Sequence, residues 1–344
     1  MITIDGIVFS LQGHGGISVY FHTLLDYLKR QRVPATLTME TPARQAVGEG
    51  GEGMSVIRRR ARWLERYRTC RVPPATSVFH SSYYRRPDGG GFPTVVTVHD
   101  FIYERFSSGP RRWVHGTQKA AAIQAAQAIV CVSESTRQDL LEFIGVRSEQ
   151  SIHVIHNGVS DIFRPLELPP SAASYVLYVG QRAGYKNFPL ALNALTFLPG
   201  FELYCVGGGA LHSRELAGVP ASVAGRVRHV GLVDDETLNT LYNQAACLVY
   251  PSTYEGFGIP VVEAMRAGCP VVSVACRAVV EVGRDALTIA EDPDPRVLAD
   301  AILKTVSADR PSLVKRGLAV AREYSWDRTH AQTLAVYRSL ADWS

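Results

Sequence analysis

Residues 247–274 read CLVYPSTYEGFGIPVVEAMRAGCPVVSV, a stretch that predicts one strand–loop–helix–strand unit. The apolar runs at 247–250 and 270–274 predict two buried strands. Between them, Pro260 suits the first position of a helix and Gly268 suits the residue just beyond its end. Two strands joined by a crossover helix lie parallel in one sheet, so the stretch indicates an α/β domain.

The same alternation of short apolar strands and amphipathic helices recurs along most of the chain. In the first half, strands are expected at residues 2–9, 78–81, 95–99, 128–132 and 153–156. In the second half, they are expected at residues 175–179, 202–206, 227–231, 247–250 and 270–274. Strands that alternate with helices form parallel sheets covered by helices.

A proline-rich segment at residues 163–170 interrupts this alternation and is the best candidate for a linker. It predicts an α/β protein of two Rossmann-like, doubly wound domains that face a cleft. The expected domains are residues 1–165 and 166–325, followed by a final helix within 326–344. In doubly wound sheets, ligands bind outside the carboxyl ends of the strands, so site residues are expected in the loops that follow strands.

Composition excludes several classes of function. The chain has 344 residues, enough for two domains with their own cores, and 46% are hydrophobic and 20% charged. A net charge of +4 is too small for a dedicated nucleic-acid binder. The six cysteines form no CxxC pair, which argues against a zinc ribbon and favours buried thiols in a reducing cytosol. Without a leader or a membrane-spanning run, the chain is expected to be cytoplasmic, or at most peripheral to the inner face of the cell membrane.

The loop and helix of the opening stretch carry the strongest candidate site. Gly256, Phe257 and Gly258 place backbone N–H groups just ahead of the helix N-terminus, an arrangement that suits a phosphate. Glu255 lies in the loop and Glu263 in the first turn of the predicted helix, so two carboxylates bracket that position. Either glutamate alone is more simply a solvated loop residue or a partner of the helix dipole. Their combined spacing with the glycines favours a ligand site for a sugar and a diphosphate.

A second candidate follows the first strand of the second half, where residues 178–187 read YVGQRAGYKN. Arg182 and Lys186 lie in one loop at the carboxyl end of that strand. A basic pair there could neutralise a diphosphate leaving group and take the place of a metal ion. The competing interpretation is two solvated loop charges.

Two further candidates lie at strand ends in the first half. Residues 10–17, SLQGHGGI, form a strand-to-helix turn in which Gly15 and Gly16 would let the backbone approach a ligand closely. The turn is not GxGxxG and lacks the acidic residue expected about 20 positions later, so a dinucleotide fingerprint fits poorly, and an ordinary tight turn is equally compatible. His99 ends another apolar strand, a position that a purely structural histidine could also occupy.

Two weaker features remain. Residues 58–71 hold seven arginines with Trp63 and Tyr67 between them, and could contact an anionic membrane or an acidic acceptor. A solvated helix face explains them equally well. Asp292 and Asp294 form a superficial metal-binding DxD, but the proline-rich turn around them argues against a metal site.

Together these motifs resemble the retaining glycosyltransferases of family 4, which have the GT-B fold and include many bacterial surface-polysaccharide enzymes. The resemblance covers nearly the whole chain. Its most specific part is YEGFGIPVVEAM at residues 254–265, and residues 132–140, 154–159 and 324–329 support it.

In that family the second domain binds the nucleotide sugar. The resemblance implies that Glu255 binds the donor sugar hydroxyls and that Glu263 binds the ribose, with the backbone of the intervening glycines on sugar and phosphate. It assigns Lys186 to the diphosphate. Arg182 is a shifted candidate for the same role, because the family's arginine directly follows the strand-ending glycine, where this chain has Gln181.

The first domain of such enzymes binds the acceptor. The resemblance implies that His99 lines the reaction centre and that the loop at Gly15 and Gly16 closes on the diphosphate. It places the nucleotide base beside Leu232 in the second domain. It also implies that the final helix, near residues 326–340, crosses back onto the first domain.

The implied activity is metal-independent, cofactor-free transfer, with retention, of a hexosyl or deoxyhexosyl unit from a nucleotide-diphosphate sugar. A GDP-mannose-like donor and a glycan or lipid-linked glycan acceptor, in O-antigen or other surface polysaccharide synthesis, would fit. Two other hypotheses remain open. One is a sugar-nucleotide epimerase or hydrolase of the same fold, and the other is a non-catalytic sugar-nucleotide-binding protein. No nucleic-acid partner is expected.

Overall fold

The computed structural model describes residues 1–12, 15–43, 53–168, 174–182 and 184–341. The chain divides into two units, of which the first comprises Met1–Gly158 with Trp326–Ser344 and the second comprises Val159–Ser325.

The strands are β1 Ile2–Asp5, β2 Ala35–Thr41, β3 Met54–Arg60, β4 Val78–Ser81, β5 Thr94–Val98, β6 Ala128–Cys131, β7 Ser151–Val154, β8 Tyr175–Val179, β9 Glu202–Val206, β10 Val227–Gly231, β11 Cys247–Tyr250, β12 Val271–Val274 and β13 Leu287–Ala290. The α-helices are α1 Ile7–Leu11, α2 Gly16–Arg30, α3 Ile102–Phe106, α4 Gly109–Ala125, α5 Glu134–Phe143, α6 Phe188–Ala194, α7 Ala221–Ala224, α8 Asp235–Gln244, α9 Ile259–Arg266, α10 Arg277–Gly283, α11 Pro295–Ser307, α12 Arg310–Ala321 and α13 Trp326–Leu340.

The sheet of the first unit has the order β3-β2-β1-β4-β5-β6-β7, with every neighbouring pair parallel. The strand order reverses between β1 and β4. Helix α2 buries Tyr20, Phe21, Leu24 and Leu28 against this sheet, and α13 adds Leu334 and Tyr337 to the same core. The final helix therefore packs within the first unit.

The sheet of the second unit has the order β10-β9-β8-β11-β12-β13 and is also parallel throughout. Here the order reverses between β8 and β11. Helices α6 and α11 bury leucine, isoleucine and alanine side chains on this sheet. Each unit is a doubly wound parallel α/β domain, and the predicted fold class is confirmed.

The expected strand at residues 2–9 was wrong, because β1 ends at Asp5. The Asp5 carboxylate accepts a hydrogen bond from the backbone N–H of Ile7 at 3.0 Å, which turns the chain into α1. Gly6 also lies so close to β2 that a Cβ atom there would be 2.6 Å from the carbonyl oxygen of Thr38. The apolar run thus continues through a turn and a helix.

The boundary between the units lies after Gly158 and not after residue 165 as expected from the prolines. The described part of the proline-rich segment is fixed to α8. Backbone N–H groups of Arg164 and Leu166 donate to the side chains of Asn239 and Asn243 at 3.1 and 2.7 Å. These bonds make the segment part of the second unit. Residues 169 and 170 lie outside the described residues.

Candidate active site

The reversal of strand order in the second unit brings two candidate loops together. Strands β8 and β11 are neighbours, and the chain continues from them towards opposite edges of the sheet, to β9 and to β12. A crevice opens at such a point outside the carboxyl ends of the two strands, and doubly wound proteins bind ligands there. The loop after β8 carries Lys186, and the loop after β11 carries Glu255.

Lys186 and Glu255 form an ion pair across this point. The Lys186 ammonium donates to Glu255 Oε1 at 2.7 Å and to the Tyr250 hydroxyl at 3.3 Å. The two charged side chains are only 14% and 9% exposed. A charge so nearly desolvated needs a close partner. The Lys186 ammonium would be 4.0 Å from a Cβ atom placed at Gly180, so it lies against the backbone at the end of β8.

Backbone contacts fix the loop that carries Glu255. The Thr253 N–H and hydroxyl both donate to the carbonyl oxygen of Tyr185, at 2.9 and 3.1 Å, which ties the loops after β8 and β11 to each other. Gly258 caps α9 with φ +101°, a conformation that L side chains rarely adopt. Phe257 buries its ring against Tyr324, at 5.7 Å between centroids. The Phe257 ring is therefore part of the packed interior of the second unit.

Glu263 lies on α9 and is paired with a buried tyrosine. The Tyr242 hydroxyl donates to Glu263 Oε2 at 3.1 Å. Burial raises the pKa of Glu263 to about 7 and nearby Asp235 acts in the same direction, while the Tyr242 bond opposes them. The helix begins at Ile259, so Glu263 is in the second turn and not in the first as expected.

Arg182 does not join Lys186, contrary to the predicted basic pair. Its guanidinium donates to the carbonyl oxygens of residues 207–210 at 3.0 to 3.1 Å and to Glu215 at 2.6 Å. Its side chain is 3% exposed. In this structure Arg182 holds the loop after β9 in place, so its donors are already used.

The loop after β9 was not among the predicted site segments, although GGG at residues 207–209 directly after a strand is a recognisable signal. Gly208 has φ +76°, and a Cβ atom there would be 2.6 Å from Arg182. Backbone bonds from Gly180 to Val206 and from Gly207 to Gly231 join the loops after β8, β9 and β10. Leu232, which follows β10, exposes 79% of its surface. A large apolar side chain that is so exposed beside a ligand-binding edge is suited to pack against the flat face of a nucleotide base.

The glycine turn of the first unit is described in part. Gly13 and His14 lie outside the described residues. Gly15 is extended at φ 167° and precedes α2, and its carbonyl oxygen accepts from the Ser18 hydroxyl at 2.8 Å. Gly16 is the first residue of α2. The turn lies at the carboxyl end of the sheet, after β1 and α1.

His99 lies directly after β5 and is buried. Its Nε2 atom is shielded from solvent and has no hydrogen-bond partner among the described residues. Burial and the nearby Lys119 ammonium lower the pKa of His99 to about 3, so the ring is neutral at pH 7. Tyr20 of α2 meets the His99 ring edge-on at 5.3 Å. A buried unsatisfied ring nitrogen at a strand end is compatible with a hydrogen bond to a substrate.

The arginine-rich segment is not a helix face. Residues 58–60 end β3, and the rest is a loop with one 3₁₀ turn at Glu65–Tyr67. Several of its arginines bond to loop carbonyl oxygens or to Glu65. Trp63 is 80% exposed. The DxD residue Asp294 caps α11 by accepting from two backbone N–H groups.

All six cysteines are buried and free. Within the described ranges, no group of His, Cys, Asp or Glu side chains could hold a metal ion. In the same part of the chain, no helix has both the length and the apolar character needed to cross a membrane.

Comparisons with known proteins agree with the fold and motifs. Residues 14–161 match the family described as "Glycosyltransferase Family 4", and residues 173–308 match "Glycosyl transferases group 1". The O-antigen chain mannosyltransferase B of Escherichia coli is 30% identical over 267 residues, which cover 72% of this chain and 70% of that protein. A D-inositol 3-phosphate glycosyltransferase of a Nocardioides species is 28% identical over 309 residues, covering 76% of this chain and 67% of that protein.

Among solved structures, the sucrose-phosphate synthase of Thermosynechococcus elongatus superposes with a TM-score of 0.80 at 20% identity, covering 98% of both chains. That likeness supports the fold alone. With the sequence relatives and the site motif, the class of protein is a GT-B glycosyltransferase. The chain belongs to glycosyltransferase family 4.

Proposed function

We propose that this glycosyltransferase moves a hexosyl or deoxyhexosyl unit from a nucleotide-diphosphate sugar to a glycan or lipid-linked glycan acceptor. Transfer retains the anomeric configuration and needs no metal ion. The observation that carries the proposal is the Lys186–Glu255 pair at the strand-order reversal of the second unit. It places one cation and one carboxylate where a doubly wound sheet binds its ligand.

The cation and the carboxylate suit the two ends of the bond that breaks. Cleavage of the sugar–phosphate bond leaves growing negative charge on the diphosphate, and the Lys186 ammonium would stabilise it. Glu255 accepts hydrogen bonds and is suited to sugar hydroxyls. Glu263 would accept from the ribose hydroxyls, and the exposed Leu232 would lie against the base.

Retention follows if the acceptor hydroxyl attacks the anomeric carbon on the face from which the phosphate leaves. The new glycosidic bond forms as the sugar–phosphate bond breaks, and the leaving phosphate oxygen takes the acceptor proton. No strong protein base is required. A neutral His99 fits such a mechanism as a hydrogen-bond partner for a substrate hydroxyl. The protein contributes positioning and charge neutralisation.

A GDP-mannose-like donor and a role in O-antigen or surface polysaccharide synthesis are the favoured specifics. Both are supported by the similarity to the O-antigen chain mannosyltransferase B of Escherichia coli, of which this chain covers 70%. Several donors share the diphosphate and hydroxyl chemistry that the pair would bind. The donor is therefore best identified by a panel of nucleotide sugars in thermal-shift measurements, since a ligand at 100 times its Kd adds about 2.7 kcal/mol of stability.

Peripheral contact with the inner face of an anionic membrane, through residues 58–71, is part of the proposal. The exposed side chains of Trp63 and Leu64 project from this arginine-rich loop. An amphipathic indole beside basic residues suits a membrane surface.

Product analysis tests the proposed reaction. The protein is incubated with the donor found in the panel, with and without a mannose-terminated glycan, and the products are followed by proton NMR. An α-linked product formed from an α-linked donor supports the proposal. A β-linked product would refute retention. Conversion of the donor to an epimer or a free sugar, equally fast with and without acceptor, would identify an epimerase or hydrolase instead.

A further inference from the structure

The first unit contains a cavity of about 340 Å³ at the carboxyl end of its sheet. It is open to solvent on one side and is lined by three segments, namely the end of the 3₁₀ turn, the residues just after β4, and one face of α4. Its lining residues are Tyr67, Arg68, Thr69, Tyr84, Arg85, Arg86, Val114, Thr117, Gln118 and Ala121. Strand β4 flanks the reversal of strand order in this sheet. The cavity therefore lies where doubly wound domains place ligands.

The lining carries only positive charge, because it contains three arginines and no acidic residue. The positive charge of Arg85 is already neutralised by buried acidic residues. Its buried guanidinium forms ion pairs with Asp5, Glu40 and Glu65.

Arg68 and Arg86 have no such acidic partners among the described residues. Both are exposed, and neither has a carboxylate within ion-pair distance among the described residues. Arg68 donates from Nε to the Trp63 carbonyl oxygen at 2.8 Å, which leaves its two terminal amino groups. Two guanidinium groups without a carboxylate partner at one cavity favour a phosphate or carboxylate ligand.

The remaining lining suits a sugar. Tyr67 is 49% exposed. The Arg66 guanidinium lies over one face of its ring at 5.5 Å, and a pyranose could stack on the other face. The Gln118 amide donates to the Arg66 carbonyl oxygen at 2.8 Å, so its own carbonyl oxygen is oriented as an acceptor for hydroxyl groups. The cavity volume is at the lower end of the range for small-molecule sites. A monosaccharide with one anionic group fits the chemistry and the size.

The cavity is also joined to the end of β5. Tyr84 lines the cavity, and its hydroxyl group is hydrogen-bonded to the backbone of His99. Lys119, on the helix that forms one wall, donates to the carbonyl oxygen of Asp100 at 2.8 Å. A ligand in the cavity would thus be held beside the strand end that carries His99.

From these observations we infer that the cavity binds an anionic saccharide unit of the acceptor, either a sugar phosphate or a uronic acid. Arg68 and Arg86 bind the anion, and Tyr67 stacks on the ring. Calling the ligand an acceptor rests on the proposed function. The binding itself does not.

Calorimetric titration of the whole chain with glucose 6-phosphate, glucuronate and glucose tests the inference. At least one of the two anions should bind at least 10-fold more tightly than glucose. Arg86→Gln and Arg68→Gln should each weaken that binding by about 10-fold, since each removes a charge-assisted bond. Arg147→Gln, an exposed arginine of the same unit outside the cavity, should have no effect. Equal binding of glucose and the anions, no binding of either anion, or unchanged affinity in both cavity variants would overturn the inference.

Two further measurements separate this inference from its alternatives. Donor binding to the Arg86→Gln variant should equal that of the wild type. If no nucleotide sugar is bound or turned over while glucose 6-phosphate still binds through Arg86, the proposed function fails and the cavity inference stands. Phosphatidylglycerol vesicles are the second probe. Vesicle binding that requires Arg86, with no binding of glucose 6-phosphate or glucuronate, would overturn the saccharide site in favour of a lipid surface.

Discussion

Replacing Lys186 should slow the reaction more than it weakens donor binding. In Lys186→Met, the ammonium that lies 2.7 Å from Glu255 Oε1 is removed while the unbranched side chain up to the ε position is kept. Because charge grows on the diphosphate only as the bond breaks, the lost contact belongs mainly to the transition state. The expected loss is about 10²–10³ in kcat, by analogy with single oxyanion-hole donors. Lys186→Arg should recover part of this rate, since a fork replaces a point charge.

The ion pair between Lys186 and Glu255 should also contribute to the unfolding free energy of the protein. At 2.7 Å, two unit charges attract by about 6 kcal/mol if the effective dielectric constant is about 20. Desolvation offsets much of this attraction, and removing one partner of a buried pair costs about 3–5 kcal/mol. Glu255 would be left nearly buried without its cation. We therefore expect Lys186→Met to lose about 3 kcal/mol of unfolding free energy.

Steady-state kinetics and urea denaturation would measure both effects. A double-mutant cycle with Glu255→Gln should show a coupling energy of about 1–3 kcal/mol. Lys304→Met, an exposed lysine on α11, is the matched control and should change stability by less than about 0.5 kcal/mol. Arg182→Ala should affect kcat less than Lys186→Met, because its guanidinium holds the loop at residues 207–210. Unchanged kcat with only a raised donor KM in Lys186→Met would refute the leaving-group role.

Three other predictions follow from the site and the surface. Transfer should continue in excess EDTA; complete loss of activity that magnesium or manganese restores would contradict metal independence. Because the folded-state pKa of Glu263 is raised to about 7 from an ordinary value of 4.5, its protonated form favours folding below pH 4.5 and this contribution is lost as pH rises towards 7. Wild-type unfolding free energy should therefore fall relative to Glu263→Gln between pH 4.5 and 7, and parallel curves would show that the pKa is not raised. In vesicle co-sedimentation at rising salt, anionic vesicles should bind the chain more than neutral ones, and Trp63→Ala should weaken that binding; equal binding to both vesicle types would exclude the membrane contact.

Much of the fold could be read from the sequence because its signals are local. The strands at residues 78–81, 175–179 and 247–250 were predicted with the bounds that the structure has, since short apolar runs ended by turn residues define them. Strands β2 and β3 escaped prediction. The first is rich in threonine and the second carries three arginines, so neither forms an apolar run, and only pairing with β1 and with each other makes them part of a sheet.

The sequence by itself determined the family motif around α9 and placed Lys186 and Glu255 at strand ends. Only the tertiary structure decided which side chains meet, because a long side chain follows partners that are distant in sequence. Lys186 meets Glu255, 69 positions away, since β8 and β11 are neighbours where the strand order reverses. Arg182, four residues before Lys186, turns instead to Glu215 and the loop after β9. The motif register already set Arg182 apart from Lys186, but only the pairing of the strands decides which partner each cation meets.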